Sequence, residues 1–550
     1  MRTIASILAI SILLLTPTGV FAKDKYSGTP ATRAEFDKVQ QEMRPGKYAD
    51  AITDLEGIIK RDPNFAPAYG TLLFAKFMQV MYSGEATTEA EKTALSKKLH
   101  DQIMAKYETL AKENPKNPMY PWVIAQMYNE ASPTLQEQYC KKSVEISPDF
   151  TPGYQCLAGI AMLRGDSAHG AEYFRKVIAA NPNDPDELLQ YLYFVQPNPA
   201  EFRKAAFEVG KKFPNTQQAA DALYRYADAQ TEPVARRKAM EDIIARYSPV
   251  RFDSASLAEN ELFSDYDRSD PAKALALAHS MLKQLPKDET WKRNAVYADT
   301  MAEAEQKLDS NDAQAALAIL AKVKTPGLVF DQTRLQLLQA RAKSAAGNLG
   351  GAYTDLLNDV AKHPTDQAQA GLYVYGKQLG KSEQQVDAEV WALRSAASTP
   401  AIPFSLQSFV TGKQVSLEDY KGHVVLVDFF YPNCSPCMRS FPYMQNLLTK
   451  FKKQGVAVLA INGMEGQASF VLPLLKSKRV GFIPLRGNAK WCGDVYHVHG
   501  YPTTFLVGAD GRVYFKPHVY DYQEQRTTEL EIEALLKAAE AHSPAKPALN

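Results

Sequence analysis

Cys434 and Cys437, separated by two residues, are the side chains of this 550-residue sequence best placed to do chemistry. They follow an apolar, β-branched run, Val424 to Phe430, that ends at Tyr431-Pro432, and an amphipathic helical pattern starts directly after them. A C-x-x-C at the junction of a strand and a helix predicts a redox-active dithiol/disulfide pair. Disulfide exchange needs one sulfur that attacks and a second that resolves the mixed disulfide. A cysteine at a helix start meets unpaired N–H groups and the positive end of the helix dipole. Such settings lower a thiol pKa from about 8.5 to between about 3.5 and 7.5. Cys434 is therefore expected as an exposed nucleophile, and Cys437, one turn further in and more buried, as the resolving thiol. Pro436 falls in the first turn, where a missing N–H costs little. With a single C-x-x-C a four-cysteine zinc site is excluded, and no metal or cofactor is called for.

The elements around the pair must deliver it to a compartment and a partner. Net charge is +1 with 23% charged residues, which implies neither nucleic acid nor a charged membrane surface as partner. Arg2, the apolar run Ile4 to Leu15, the break at Thr16-Pro17-Thr18-Gly19 and the small-residue pattern ending at Ala22 read as a secretory signal. A membrane anchor is the competing reading, but the run is short for a span. Residues 1–22 are thus expected to be a signal peptide, and the mature chain to be periplasmic or otherwise extracytoplasmic, where disulfides persist.

Residues 23–394 carry helical periodicity with short Gly, Asn or Pro breaks. Asn114-Pro115, Ser147-Pro148, Asn181-Pro182 and Phe213-Pro214 recur at about the 34-residue period of a tetratricopeptide repeat. The clearest unit runs from Thr151 to Asp184, with Tyr154, Leu157 and Ala158 on its first helix, a turn at Gly165-Asp166, and Gly170 and Phe174 at the helix crossing. Between about 216 and 327 the match loosens, and either degenerate repeats or another all-helical packing fits. An array of this kind offers a concave face to a protein or peptide ligand, or serves as a spacer or dimerisation element. Cys140 and Cys156 flank the Ser147-Pro148 turn on successive helices, so they either form a structural disulfide or pack as two small apolar residues.

Residues 395–403, with two prolines and no periodicity, read as a linker into a domain over 404–541, followed by a flexible tail, 542–550. Residues 404–409 and Gln414 to Leu417 predict two short strands joined by a turn. The near-continuous apolar run up to Phe430 predicts a central strand covered on both faces, Asp510-Gly511 a hairpin turn, and Thr528 to Ala539 a closing helix. From about Pro400 to Ala541 the chain resembles the extracytoplasmic thiol-disulfide oxidoreductases of the TlpA/ResA-like group in the thioredoxin superfamily. The resemblance rests on the Phe404-x-Leu entry, Lys421-Gly422, Cys434-x-x-Cys437, Phe441-Pro442-Tyr443-Met444, Phe451-Lys-Lys-Gln-Gly-Val456 and Tyr501-Pro502-Thr503-Thr504-Phe505-Leu506. The expected architecture is an all-α tetratricopeptide-like superhelix followed by an α/β thioredoxin-like domain.

The resemblance implies roles for residues around the cysteines. Asp428, six residues before Cys434, matches a buried acid that helps move the resolving cysteine's proton, and a structural Asp bonded to backbone is the competing reading. The lysine that commonly pairs with this acid is absent from Val456 to Ile461. Pro442 matches a helix-kinking proline. Pro502 matches a cis proline beside the cysteines. The backbone of Tyr501 would pair with an extended substrate peptide, and Tyr501, Pro502, Asn433, Ser435 and Pro436 are the expected substrate-contacting residues. Asn433 stands where the family usually has Trp, and Ser440 where it often has an acid. Cys492 is a third redox sulfur or an inert thiol, and His497 and His499 either tune the thiolate or are surface residues. The implied activity is reduction of disulfides in client proteins, recharged by a membrane-bound electron donor, with the repeats binding clients or partners. A scaffold whose redox domain is regulatory or structural is the alternative. A peroxidase is disfavoured because Tyr431 occupies the place of the Thr in the P-x-x-x-T-x-x-C peroxiredoxin motif.

Overall fold

Helices fill most of the described chain from Pro30 to Ala397, and strands follow only after it. The computed structural model describes residues 26–128, 132–326, 331–517 and 524–542. The expected signal peptide, 1–22, lies outside the described residues, as does the expected tail, 542–550, apart from His542, which ends a helix. The chain divides into two compact units, one built from residues up to Pro214 together with Met464–Arg479, the other from Asn215–Gly463 and the residues from Val480 onward.

In the first unit each expected break ends a helix. Glu89–Glu113, Pro133–Ile146, Ser167–Ala180 and Pro199–Lys212 stop just before the four punctuating dipeptides, since proline lacks the N–H that would continue the ladder. Helices Thr151–Leu163 and Ser167–Ala180 form the expected pair. Gly165 takes a left-handed conformation at φ +75° between them, and Asp166 caps the second by accepting from the His169 N–H at 3.1 Å. Phe174 is fully buried, and a Cβ at Gly170 would come within 2.9 Å of Phe194, which explains the small residue there. This arrangement is compatible with tetratricopeptide-like repeats. Cys140 and Cys156 are joined in a disulfide, which settles the two readings left open for them. Helix Val471–Ser477 lies against Thr151–Leu163, and a Cβ at Gly165 would run into the Pro473 carbonyl. This segment, expected within the 404–541 domain, therefore packs as part of the first unit.

In the second unit, helices from Gln217–Asp228 to Glu383–Ala397 precede the strands. Ala352, Leu356, Val360, Leu372 and Val390 build one of their cores. The strands are β1 (Thr399–Pro400), β2 (Ser405–Gln407), β3 (Gln414–Ser416), β4 (Val424–Phe430), β5 (Val456–Asn462), β6 (Ile483–Arg486), β7 (Thr503–Val507) and β8 (Arg512–Val513). They form a six-stranded sheet of order β1-β8-β7-β4-β5-β6 and a separate β2–β3 hairpin. Strand β4 is parallel to β5 and antiparallel to β7, and all its residues are buried. Its alternation assigns two faces. Val425, Val427 and Phe429 join Leu459, Ile461, Leu485, Cys492 and Tyr496 in one core. Phe430, on the other face with Asp428, meets Phe441 of helix α1 (Ser435–Phe451) at 5.5 Å between ring centres. Helices α2 (Ala489–Tyr496) and α3 (Gln525–His542) complete the α/β thioredoxin-like domain.

The linker expected over 395–403 is corrected. Helix continues to Ala397, and Thr399–Pro400 form an edge strand paired with β8. Proline is tolerated there because an edge strand has one side free of ladder bonds.

Candidate active site

Strand β4 runs out at Phe430, and the chain turns through Tyr431-Pro432 into α1 with Cys434 as its N-cap. The Cys434 N–H donates to the Tyr431 carbonyl at 3.0 Å, and its sulfur accepts from the Cys437 N–H at 3.1 Å. A sulfur thus occupies the place of a capping oxygen, at the helix end that favours negative charge. Cys434 and Cys437 are disulfide-bonded. The exposed first sulfur expected from the sequence is corrected: Cys434 is 2% exposed and Cys437 fully buried. The bond to Cys437 and the N–H contact turn the Cys434 sulfur into the first turn of α1. Ser435 and Pro436 are exposed and Asn433 is half-buried, so these three form the outward lip of the helix start.

Asp428 is fully buried in β4 on the face that packs against α1. Its Oδ1 accepts from the Thr504 hydroxyl at 2.7 Å, and its Oδ2 has no hydrogen-bond partner among the described residues. Burial pushes its carboxyl up to about 7, with the Thr504 bond acting in the opposite direction. The lysine missing from β5 is thus replaced by a neutral donor on β7, directly across the antiparallel register from Asp428. Thr504 is the residue that sequence reading missed. The signal available was the alternation of β7, which puts Thr504 and Leu506 on one face.

The Tyr501-Pro502 peptide is cis. Pro502 is buried, while the Tyr501 ring packs edge-on against Tyr431 at 5.3 Å. A Cβ at Gly463 would run into that ring, and the Tyr501 hydroxyl is hydrogen-bonded with the Cys492 sulfur. The Tyr501 side chain is therefore spent on holding its own loop, which leaves its backbone as the part available to a substrate. Cys492 is buried in the core, and burial pushes its thiol up to about 11. A reactive third sulfur would need the opposite shift. Ser440, where an acid was expected by resemblance, is buried and donates to the Cys437 carbonyl at 2.8 Å. His497 and His499 are exposed.

The local chemistry is now defined: a cysteine pair at a helix N-terminus, a buried acid on the adjoining strand and a cis proline nearby. Residues 397–516 match the AhpC/TSA family. The AhpC/TSA stretch contains every residue just described. Over 102 residues the chain is 38% identical to the thiol-disulfide oxidoreductase ResA of Bacillus subtilis, a match covering 18% of this chain and 56% of that protein. Over 142 residues it is 28% identical to the ResA of Halalkalibacterium halodurans, covering 24% of this chain and 74% of the relative. A thioredoxin-family thiol:disulfide interchange protein of Chlorobium tepidum aligns at 24% identity and a TM-score of 0.23, over 25% of this chain and 96% of that one. The chain spans a little over half the length of the Bacillus subtilis relative, 56%.

Proposed function

We propose that the chain is an exported thiol-disulfide oxidoreductase that reduces disulfides in client proteins. In the reduced form Cys434 would attack a client disulfide as thiolate, forming a Cys434–client bond and releasing one client thiol. Cys437, deprotonated, then attacks the Cys434 sulfur, forming the Cys434–Cys437 disulfide and releasing the second client sulfur, which takes up a proton. Two electrons pass to the client. For the first step the Cys434 sulfur must turn outward from its buried position. Asp428 is the base for Cys437, and the cis-proline loop offers the Tyr501 backbone to an extended client segment. Asn433, Ser435 and Pro436 flank that client.

The observation that carries this reading is the bonded Cys434–Cys437 pair at the start of α1, with the unpaired Asp428 carboxyl oxygen on the strand face covered by that helix. The names of the relatives, thiol-disulfide oxidoreductases, support it. Export is supported by the signal-like residues 1–22 and by the Cys140–Cys156 bridge, which suits an oxidising compartment. A membrane-bound electron donor would return the pair to the dithiol, and the helices before residue 397 would recruit clients or partners.

The test is the potential of the Cys434–Cys437 couple together with turnover of a disulfide client. A potential near about −270 mV supports a reductant, and one near about −120 mV overturns that direction. Client reduction by purified Cys434→Ser protein would end the enzymatic reading and favour a scaffold. Peroxide consumption by the reduced protein would instead revive a peroxidase.

A further inference from the structure

Thr504 has no part in the chemistry implied by the cysteine motif, yet it is the only hydrogen-bond partner recorded for the Asp428 carboxyl among the described residues. Both side chains are buried, and β4 and β7 place them opposite one another. An acceptor oxygen that already receives the threonine hydroxyl is a poor place for a proton, because the bond is strongest when that oxygen is charged. The second oxygen, Oδ2, carries no competing bond. The two carboxyl oxygens are thus unequal, and a neutral side chain makes them so.

We propose that Thr504 is a positioning residue for proton transfer: its hydroxyl fixes the Asp428 carboxylate by Oδ1 and reserves Oδ2 to take the proton of Cys437. The inference rests on the oxidoreductase reading above. In the resolving step Asp428 Oδ2 takes the proton from the Cys437 thiol, and the resulting thiolate attacks the Cys434 sulfur of the mixed disulfide. The Cys434–client bond breaks, and the departing client sulfur is protonated, leaving Asp428 to return its proton to solvent. No further oxidant or reductant enters this step.

Other groups on the elements packed against Asp428 do not substitute for the threonine. Strand β5 presents Ala460 across from it and carries no titratable side chain. The inner face of α1 contributes Cys437 itself and Tyr443, whose hydroxyl donates to the Asp228 carbonyl at 3.5 Å. Helix α3 contributes Glu531, which is fully buried and feels Arg394 and Glu524. Asp428 itself feels only burial and the Thr504 bond. Among the described residues, a hydroxyl on β7 is therefore the one side chain that offsets the effect of burial on Asp428.

Three variants of the full chain test this: Thr504→Val, which keeps shape and removes the donor, Thr504→Ser, which keeps the donor, and Asp428→Asn. The measurement is the pH dependence of client-thiol release in a single turnover of reduced protein, alongside infrared titration of the buried carboxyl in the oxidised protein. Thr504→Val should move both inflections upward by about one to two pH units, the equivalent of one buried hydrogen bond to a charged group. Thr504→Ser should return them to within about half a unit of wild type, and Asp428→Asn should abolish both. Unmoved inflections in Thr504→Val, or equal shifts in Val and Ser variants, would overturn the proposal. The infrared titration requires no turnover. A wild-type protein that fails to reduce clients therefore defeats the functional reading, while an unshifted carboxyl defeats the role of Thr504. Should Thr504→Val not fold, Thr504→Cys, a weaker donor, is expected to give a smaller upward shift, and no shift would again overturn the role.

Discussion

Residue 428 sets stability against chemistry. A carboxyl raised from 3.8 to about 7 binds its proton more tightly in the folded than in the unfolded chain. Between those two values the native state holds more protons, so stability falls as pH rises, and the full penalty is present above about pH 7. A shift of that size corresponds to about 4 kcal/mol at pH 8 and to nothing below the unfolded value. Asp428→Asn should therefore stabilise the oxidised protein at pH 8, by a few kcal/mol at most because the amide still lacks one partner. The gain should shrink toward pH 4. The same substitution should slow client reduction at pH 7 by about 100-fold, as loss of a general base does. Denaturant titrations at pH 4 and pH 8, with turnover at pH 7, check both arms. A gain over wild type no larger at pH 8 than at pH 4 would contradict the assigned environment.

At the scale of elements, the turn from β5 and the cis-proline loop are built against each other. Gly463 follows β5, its N–H donates to the Phe430 carbonyl at 2.8 Å, and the space its Cβ would need is filled by the Tyr501 ring. Gly463→Ala should cost about 1–3 kcal/mol through overpacking, and it should also slow client reduction because the displaced ring carries the Tyr501-Pro502 backbone with it. A melting curve and turnover on one preparation test this, and full activity with a lowered melting temperature would separate the loop from catalysis. The strand–turn–helix around the cysteines was legible because its signals are local: a β-branched run, a helix-start proline and the spacing of two cysteines. The β2–β3 hairpin, the turn at Asp510-Gly511 and the helix breaks were legible for the same reason. Thr504 as partner of Asp428 and Cys492 as partner of Tyr501 were not, since each depends on the register or packing of elements distant in sequence. The two prolines at 400 and 403 misled, because an edge strand and a linker make the same demand on a proline.

At the scale of the second unit, the helices and the α/β domain meet through side chains contributed by both. Trp391 stacks on Tyr514 at 5.0 Å, Arg526 pairs with Asp366 at 2.7 Å and Lys537 with Asp387 at 2.6 Å. The latter two are exposed pairs and add little. Arg394 is different. It is 5% exposed, donates to the Val360 and Ala361 carbonyls at 2.9 and 3.0 Å, and lies 4.8 Å from the ring centre of Phe515. Burial pushes its guanidinium down to about 10, so it is still charged at neutral pH, and it is a counter-charge for Glu531 of α3, itself raised well above the carboxylate range by burial. One side chain thus joins the helix ending at Ala397, on which it sits, to the helix ending at Lys362 and to Phe515 of the α/β domain. Arg394→Leu would orphan two carbonyls and remove a positive charge that favours ionisation of Glu531. The expected cost is about 1–3 kcal/mol for each carbonyl left unsatisfied. If this residue couples the helices to the α/β domain, calorimetry should find one unfolding transition for the second unit in the wild type and two in Arg394→Leu, with the α/β part melting first. One unsplit transition with a loss below about 1 kcal/mol would mean that the two parts are held together by their apolar contacts alone.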